Sequence, residues 1–245
     1  MKKSKKNNNL RVLKNDNLAR NEYNSKRDLS LHSLKEIKPL TSPQRQMMRS
    51  YFEGSSIFAS GSAGTGKTLV ALYLALTDML DKNQPVDNIK IVRSVVPTRE
   101  VGFLPGSVEE KISVYETPYR ELFSFLFDMP TSYNNFKERG KVEFLPTSFL
   151  RGQTWDDSVI IVDEVQNLNM HEINTVMTRV GTNSKIILIG DSNQSDLYKS
   201  SRDSSCIDML DNVLSNNNFF DSVYFQKQDI VRSDFVRAWI ECIED

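Results

Sequence analysis

The sequence predicts an α/β fold in which a mainly parallel β-sheet is flanked by helices on both faces. Short apolar segments alternate along the chain with longer segments of helical pattern. The short segments are apolar throughout, which is typical of strands that are buried on both faces of a parallel sheet. A glycine-rich loop between the first strand and a long apolar helix supports the same prediction.

Four helices and five strands are predicted from their ends and their apolar patterns. Pro43 is suited to the first turn of the first helix, and Gly54 follows its end. Ser107, with Glu110 in capping-box spacing, opens a later helix, and Asn169 opens another. The predicted helices cover residues 44–52, 69–80, 107–127 and 171–180. The predicted strands, of which the last has the weakest pattern, cover residues 57–59, 89–92, 159–162, 186–189 and 223–225.

The composition excludes several classes of protein. The 245 residues are 39% hydrophobic, which is enough for a packed core. The 26% of charged residues are too evenly divided between positive and negative for a wholly disordered chain. Two cysteines exclude a disulfide scaffold or a structural zinc cluster, and two histidines leave most zinc hydrolase sites without ligands. No apolar run is long enough to span a membrane. Asn7 to Asn9 follow the basic N-terminus, at the place where a signal peptide has an apolar stretch. We therefore expect a soluble, cytoplasmic protein with no membrane partner.

Charge divides the chain into two parts. Residues 1–40 carry 11 Lys or Arg against 4 Asp or Glu, a net +7, and the remaining residues carry 20 against 28, a net −8. Because the first part is also rich in Asn and poor in large apolar side chains, we predict a disordered basic arm over residues 1–35 and one folded domain over residues 36–245. The arm is interpreted equally well as a tail that attracts polyanions or as a solubilising terminus.

Residues 61–68 match the phosphate-binding pattern G-x-x-x-x-G-K-T. The glycines allow backbone amides to form an anion site at a helix N-terminus. Lys67 is expected to contact the β- and γ-phosphates of a nucleotide, and the Thr68 hydroxyl is expected to bind Mg²⁺. The predicted nucleotide-binding residues of this loop are Gly61, Ser62, Ala63, Gly64, Thr65, Gly66, Lys67 and Thr68.

Two acidic residues follow a later apolar strand, and a polar turn follows the next. Asp163 lies at the carboxyl end of its strand, where ligands bind in parallel sheets, and is expected to hold Mg²⁺. Glu164 is the candidate that activates water for attack on the γ-phosphate, so the pair predicts hydrolysis in addition to binding. Gln194, after the strand that ends at Gly190, is interpreted either as a residue that orients this water or as part of a turn.

The ordered set of motifs resembles the PhoH family of P-loop ATPases. The matching segments are residues 61–68, 93–111, 149–154, 162–167, 190–194 and 230–232. The resemblance covers residues 33–243, and its most specific parts are Gly-Phe-Leu-Pro-Gly at 102–106 and Asp-Glu-x-Gln-Asn at 163–167. The chain departs from the family pattern at Ser94, Val165 and Ser233.

The resemblance implies a three-layer RecA-like P-loop NTPase core, similar to a superfamily 1 helicase domain, with ATP and Mg²⁺ as ligands. It also implies that single-stranded RNA or another nucleic acid is a partner. Assembly into homo-oligomeric rings is implied as well, and a hexamer is one of the ring sizes considered. Residues 1–40 are too few for the nuclease-like domain that is fused to some relatives, and no second RecA-like domain is expected in the chain.

Four further residues receive roles from the resemblance. Gln44 occupies the place of a glutamine that reads adenine, for which an amide offers both a donor and an acceptor; the alternative is a surface residue of the helix. Arg232 is the first candidate for an arginine finger, acting within its own chain or from a neighbouring subunit. Arg151 and Arg93 are further candidates for this cation, and Arg93 is also assigned to nucleotide binding. For each arginine the alternative is a surface ion pair.

Three aromatic residues are interpreted without a catalytic role. Phe103, in the loop over residues 102–106, is expected to stack on a base, to insert into a neighbouring subunit or to fold onto its own core. Trp155 and Trp239 are predicted to be packing residues.

The combined prediction is an Mg²⁺-dependent ATPase whose hydrolysis is coupled to single-stranded RNA. The alternative is an ATP-gated oligomeric module that regulates a protein partner without helicase activity. Glu164 favours hydrolysis, whereas the net −8 outside the arm disfavours RNA unless the arm or a ring pore supplies positive charge. Phosphoryl transfer to a small molecule is disfavoured, because no acceptor pocket or lid is evident and Glu164 suits water as the nucleophile.

Overall fold

The computed structural model describes residues 29–95, 108–150, 152–191, 206–214 and 218–244. The strands are β1 (Ser56–Gly61), β2 (Asn88–Arg93), β3 (Val142–Pro146), β4 (Ser158–Asp163), β5 (Lys185–Gly190) and β6 (Phe220–Phe225). The helices are α1 (Ser42–Phe52), α2 (Lys67–Leu80), α3 (Val108–Phe127), α4 (Ser132–Glu138), α5 (Met170–Met177), α6 (Cys206–Leu214) and α7 (Asp234–Glu244). No helix among these residues is long and apolar enough to cross a membrane.

The six strands form one sheet in the order β3-β2-β4-β5-β1-β6, and every neighbouring pair that is registered is parallel. Because the strands are parallel, their carboxyl ends lie at one edge of the sheet. β5 lies between β1 and β4, so the residues that follow these three strands meet at the middle of that edge. Ligands of open α/β sheets bind at this edge.

The sheet separates two apolar clusters, one on each face. Successive residues of a strand point to opposite faces, so Ile57 and Ile161 pack with α1–α4, whereas Phe58 and Ile160 pack with α5 and α6. All six residues of β4 are buried. This arrangement confirms the predicted three-layer, RecA-like class of fold with helices on both faces.

The sequence pattern did not predict β3, nor the helices α4, α6 and α7. β3 pairs with β2 at the edge of the sheet, where Val142 and Phe144 are buried while Glu143 between them is exposed. Edge strands of this kind alternate in polarity and lack the continuous apolar run that identified the other strands. The predicted elements differ from the observed ones by a few residues at their ends; for example, α5 ends at Met177 instead of residue 180.

Two predictions about packing need correction. Residues 29–35, which the prediction assigns to a disordered arm, contact the domain: Leu29 is buried in the apolar cluster, and the Lys35 amide donates to Leu126 O at 2.8 Å. Residues 1–28 lie outside the described residues. Trp155 is buried as predicted, but the prediction for Trp239 is wrong, since Trp239 is 61% exposed on α7.

Candidate nucleotide-binding site

A cleft of about 440 Å³ opens at the carboxyl edge of the sheet, within the size range of small-molecule sites. It is lined by residues 63–68 of the phosphate loop and by the ends of β2, β4 and β5. Residues of α3 and Arg232, from the segment after β6, complete the lining. Most of the residues that were predicted from separate motifs therefore line a single cleft.

The phosphate loop turns from β1 into α2 with backbone that favours glycine. Gly61, Gly64 and Gly66 have φ angles of 128°, 73° and 83°. Gly66 is the N-cap of α2, a 14-residue helix, so the loop amides lie at a helix N-terminus, where they favour an anion. Inside the loop, the Thr65 hydroxyl donates to Ser62 O at 3.0 Å.

Lys67 is held within this loop. It is only 8% exposed, and its Nζ donates to the carbonyl oxygens of Gly61 and Ser62, both at 2.7 Å. The ammonium group thus lies among the residues that are expected to surround the phosphates. Its charge is fixed close to the anion site by hydrogen bonds that the loop itself supplies.

Thr68 and Asp163 lie next to each other, although 95 residues separate them in the sequence. The Thr68 hydroxyl is 3.3 Å from Asp163 Oδ1 and 3.4 Å from Oδ2. A hydroxyl beside a carboxylate suits Mg²⁺, which keeps several waters and takes its remaining ligands from phosphates. Among the described residues no cluster of three or more His, Cys, Asp or Glu side chains forms a metal site. The donor set therefore fits a metal that arrives with a nucleotide.

Asp163 is buried, and burial together with the charge of the neighbouring Glu164 raises its pKa. Hydrogen bonds from Tyr119 and from the Glu164 amide and the positive charge of Arg93 oppose this rise in pKa. The Tyr119 hydroxyl donates to Asp163 Oδ2 at 2.8 Å. Tyr119 was not predicted, because an aromatic residue in a helical pattern looks like a core residue in the sequence.

Glu164 follows β4 in the left-handed region, with φ of 57°. Its carboxylate accepts a hydrogen bond from Gln166 Nε2, and its Oε1 lies 3.8 Å from Arg93 Nη2. Non-glycine residues in this conformation are uncommon and concentrate at functional sites. The turn places the carboxylate in the cleft, one residue beyond the candidate metal ligand.

Gln166 connects the ends of β4 and β5, a role that the motif at residues 163–167 does not predict. Its Nε2 donates to Glu164, while its Oε1 accepts from the Asp191 amide at 3.0 Å. It is 3% exposed. The glutamine therefore fixes the direction of the Glu164 side chain relative to the tip of β5, a role that the spacing Asp-Glu-x-Gln did not reveal.

Arg232 enters the cleft from its own chain. The Val231 amide donates to Gly64 O at 3.0 Å, so the segment after β6 lies against the phosphate loop. A Cβ atom placed on Gly64 would be 3.1 Å from Arg232 Cγ. Arg93, at the end of β2, lines the same cleft and lies over the ring of Tyr115 at 5.9 Å.

Gln44 contacts the phosphate loop and is not a surface residue. Its Nε2 donates to Thr65 O at 2.9 Å, and its Oε1 accepts from the Leu40 amide at 2.8 Å. It is 4% exposed. The side chain supports the loop in this structure, and its assignment to adenine stays a prediction.

Three sequence predictions lie outside the described residues. They concern Arg151, Gln194 and the loop with Phe103. Their roles stay predictions.

Comparison with known proteins gives one family match. The model of the family described as PhoH-like protein matches residues 36–244. The PhoH-like protein of Synechocystis is 32% identical over 210 residues, which are 85% of this chain and 62% of that protein. Protein PhoH of Escherichia coli K12 is 34% identical over 220 residues, with coverages of 88% and 55%. The chain thus spans a little over half the length of these two relatives.

The solved structures that match the chain have lower sequence identity than these relatives. The large terminase of a thermophilic bacteriophage, in complex with ADP, has a TM-score of 0.48 and 15% identity, and the match covers 83% of this chain and 50% of the terminase. The Pif1 helicase from Candida albicans has a TM-score of 0.40 and 16% identity, with coverages of 85% and 45%.

Proposed function

Because the chain belongs to the PhoH family, whose model matches residues 36–244, we propose that it binds ATP in the cleft and hydrolyses it with Mg²⁺. The observation that carries this proposal is the contact of 3.3 Å between Thr68 and Asp163, which joins the phosphate loop to the acid pair. Nucleotide binding without hydrolysis would need only the phosphate loop. The adjoining Glu164 adds a group that can act on water.

The proposed reaction assigns roles to the residues of the cleft. The loop amides and Lys67 bind the phosphates, and Thr68 with Asp163 holds the metal. When bound, Mg²⁺ supplies positive charge that offsets the charge on the transferring phosphate. Glu164 accepts a proton from water as the water oxygen bonds to the γ-phosphorus, and the bond to the β–γ bridging oxygen breaks to release ADP. Gln166 keeps Glu164 directed at this water, and Gln194 is proposed to help orient it.

Arg232 is proposed to stabilise the transferring phosphate from within the same chain. The hydrogen bond from the Val231 amide to Gly64 O already holds its segment against the loop. We further propose that Arg93 contacts the nucleotide and restrains Glu164 through their 3.8 Å ion pair. Arg151, which lies outside the described residues, is proposed as a further candidate for the cation that stabilises the transferring phosphate. Gln44 is proposed to read adenine.

Substituting Arg232 with Ala is expected to lower kcat by about 10³-fold, the lower end of the effect of an arginine finger. A subunit-mixing assay distinguishes an arginine that acts on the site of its own chain from one that acts on the site of a neighbouring subunit. If Arg232 acts in its own chain, mixing Arg232→Ala with Lys67→Ala subunits restores no ATP hydrolysis. Recovery of activity on mixing would show that the arginine comes from a neighbour. Arg139→Ala, at an exposed arginine after α4, is the matched control and should retain wild-type kcat.

Coupling of this hydrolysis to single-stranded RNA is proposed on the charge of the N-terminal part. The net +7 of residues 1–40 attracts a polyanion, whereas the rest of the chain is acidic. Phosphate release from ATP should therefore rise when single-stranded RNA is added in Mg²⁺, and should fall to background in EDTA. Removing residues 1–28 should reduce the stimulation by RNA and leave the RNA-independent rate in place.

An ATP-gated module that acts on a protein partner is the second candidate. Phe235 and Trp239 lie one turn apart on α7 and are 79% and 61% exposed, an aromatic pair that suits a protein contact. Assembly of the chain into a ring belongs to the same proposal. Phosphate release that does not respond to RNA would favour this candidate over RNA coupling.

A further inference from the structure

We propose that Tyr119 of α3 is a positioning residue for the metal-binding carboxylate of Asp163. This inference rests on the proposed function, since it concerns how the chain prepares the site for Mg²⁺ with ATP. The helix α3 contributes no residue to the phosphate-binding or acidic motifs. The proposal gives this helix a direct part in preparing the metal site.

Each oxygen of the Asp163 carboxylate has its own fixed donor. Oδ2 accepts from the Tyr119 hydroxyl at 2.8 Å, and Oδ1 accepts from the Glu164 amide at 3.1 Å. With both oxygens held, the carboxylate cannot rotate freely about its terminal bond. The Thr68 hydroxyl then lies in front of the group, at 3.3 and 3.4 Å from the two oxygens. The two donor atoms expected to face the metal are thus fixed relative to each other.

The hydroxyl of Tyr119 is itself fixed by packing. The side chain is fully buried, and its ring centroid lies 5.8 Å from that of Phe144 on β3. One turn later, Phe123 packs edge-on against Tyr133 of α4 at 5.3 Å. A fully buried ring keeps its hydroxyl in one place, which is what a supporting residue of a metal ligand requires.

The same helix also contacts the second acid through Arg93. Tyr115 lies one turn before Tyr119 and packs below the Arg93 guanidinium at 5.9 Å, and Arg93 reaches Glu164. Pro118, between the two tyrosines, lines the cleft. Consequently, the face of α3 that carries these residues touches both the candidate metal ligand and the partner of the candidate base.

Tyr119→Phe removes only the hydroxyl and tests the proposal. The full chain is titrated with a fluorescent ATP analogue, once in Mg²⁺ and once in EDTA, and the ratio of the two affinities gives the gain from the metal. Partners of metal ligands contribute about 10- to 100-fold to metal affinity or activity. We expect the gain from Mg²⁺ to fall by about 10-fold or more, and the affinity in EDTA to stay within about twofold of the wild type.

Tyr133→Phe is the matched control. Tyr133 is fully buried in the same apolar cluster as Tyr119, and its hydroxyl has no hydrogen-bond partner among the described residues. This variant should retain the gain of the wild type. Thermal unfolding of both variants shows whether the chain is folded.

Three results would overturn the proposal. An unchanged Mg²⁺ gain in Tyr119→Phe would leave ATP binding and hydrolysis standing and remove the role of Tyr119. An equal loss of the Mg²⁺ gain in Tyr133→Phe, or failure of Tyr119→Phe alone to fold, would show that Tyr119 has only a structural role. A wild type that binds ATP without any gain from Mg²⁺ would contradict the metal-dependent function itself, and the inference with it.

Discussion

Replacing Glu164 with Gln is expected to lower kcat for ATP hydrolysis by about 10²–10⁴-fold while the affinity for ATP stays within about twofold. The amide has the size of the carboxylate but cannot accept a proton from water. Glu164 contacts Gln166 and Arg93, and the phosphate loop is formed by other residues, so binding of the phosphates should persist. Phosphate release and equilibrium binding of a fluorescent ATP analogue measure the two quantities separately.

Glu138→Gln is the control for this substitution, because Glu138 is exposed on α4. It should leave both kcat and affinity unchanged. A Glu164→Gln variant that hydrolyses ATP within about threefold of the wild type would show that another group activates water. Loss of ATP binding in the variant would show instead that Glu164 supports the loop.

Replacing Gly61 with Ala is expected to destabilise the fold by about 4 kcal/mol or more. A Cβ atom at this position would lie 1.8 Å from Phe225 O, in the backbone of the neighbouring strand β6. The φ angle of 128° adds strain for any side chain, which costs about 1–3 kcal/mol, and overpacking costs a similar amount. The sheet alone thus requires a glycine at this position of the phosphate motif. Urea unfolding followed by circular dichroism measures the loss.

Gly54→Ala separates the clash from the backbone strain. Gly54 also has a left-handed backbone, with φ of 103°, but a Cβ there would meet no atom within 4 Å. Only the cost of the conformation should appear, about 1–3 kcal/mol. Equal losses in the two variants would mean that β1 and β6 separate easily at Gly61.

The central part of the fold could be predicted from the sequence because its strands are buried on both faces. Such strands, as in residues 159–162, are apolar throughout and stand out from their surroundings. β3 lies at an edge and alternates between buried and exposed residues, so its pattern is weaker. The composition of residues 29–35 predicts an arm, whereas Leu29 and Leu34 pack against the apolar cluster. Two apolar residues in a polar segment form no pattern that would predict these contacts.

The motifs identified the residues of the cleft that are proposed to carry the chemistry, but not the residues that contact them. Lys67, Thr68, Asp163 and Glu164 have distinctive spacing, and the structure brings them together. Tyr119 donates one hydrogen bond to Asp163, 44 positions away in the sequence, and no local pattern predicts such a contact.

Likewise, the choice between an arginine from the same chain and one from a neighbour could not be made from sequence. The hydrogen bond from the Val231 amide to Gly64 O is what favours the same chain.

Release of inorganic phosphate from ATP by the purified chain in Mg²⁺, with Lys67→Ala measured in parallel, tests most directly whether this cleft hydrolyses ATP. Lys82→Ala, at an exposed lysine after α2, is the matched control. We predict saturable turnover by the wild type and by the control, and a loss of about 10²–10³-fold in kcat/KM for Lys67→Ala, because removing a preorganised charge-stabilising group costs this much. No turnover by the wild type at saturating ATP, or equal turnover by Lys67→Ala, would contradict the assignment of the cleft as an ATPase site.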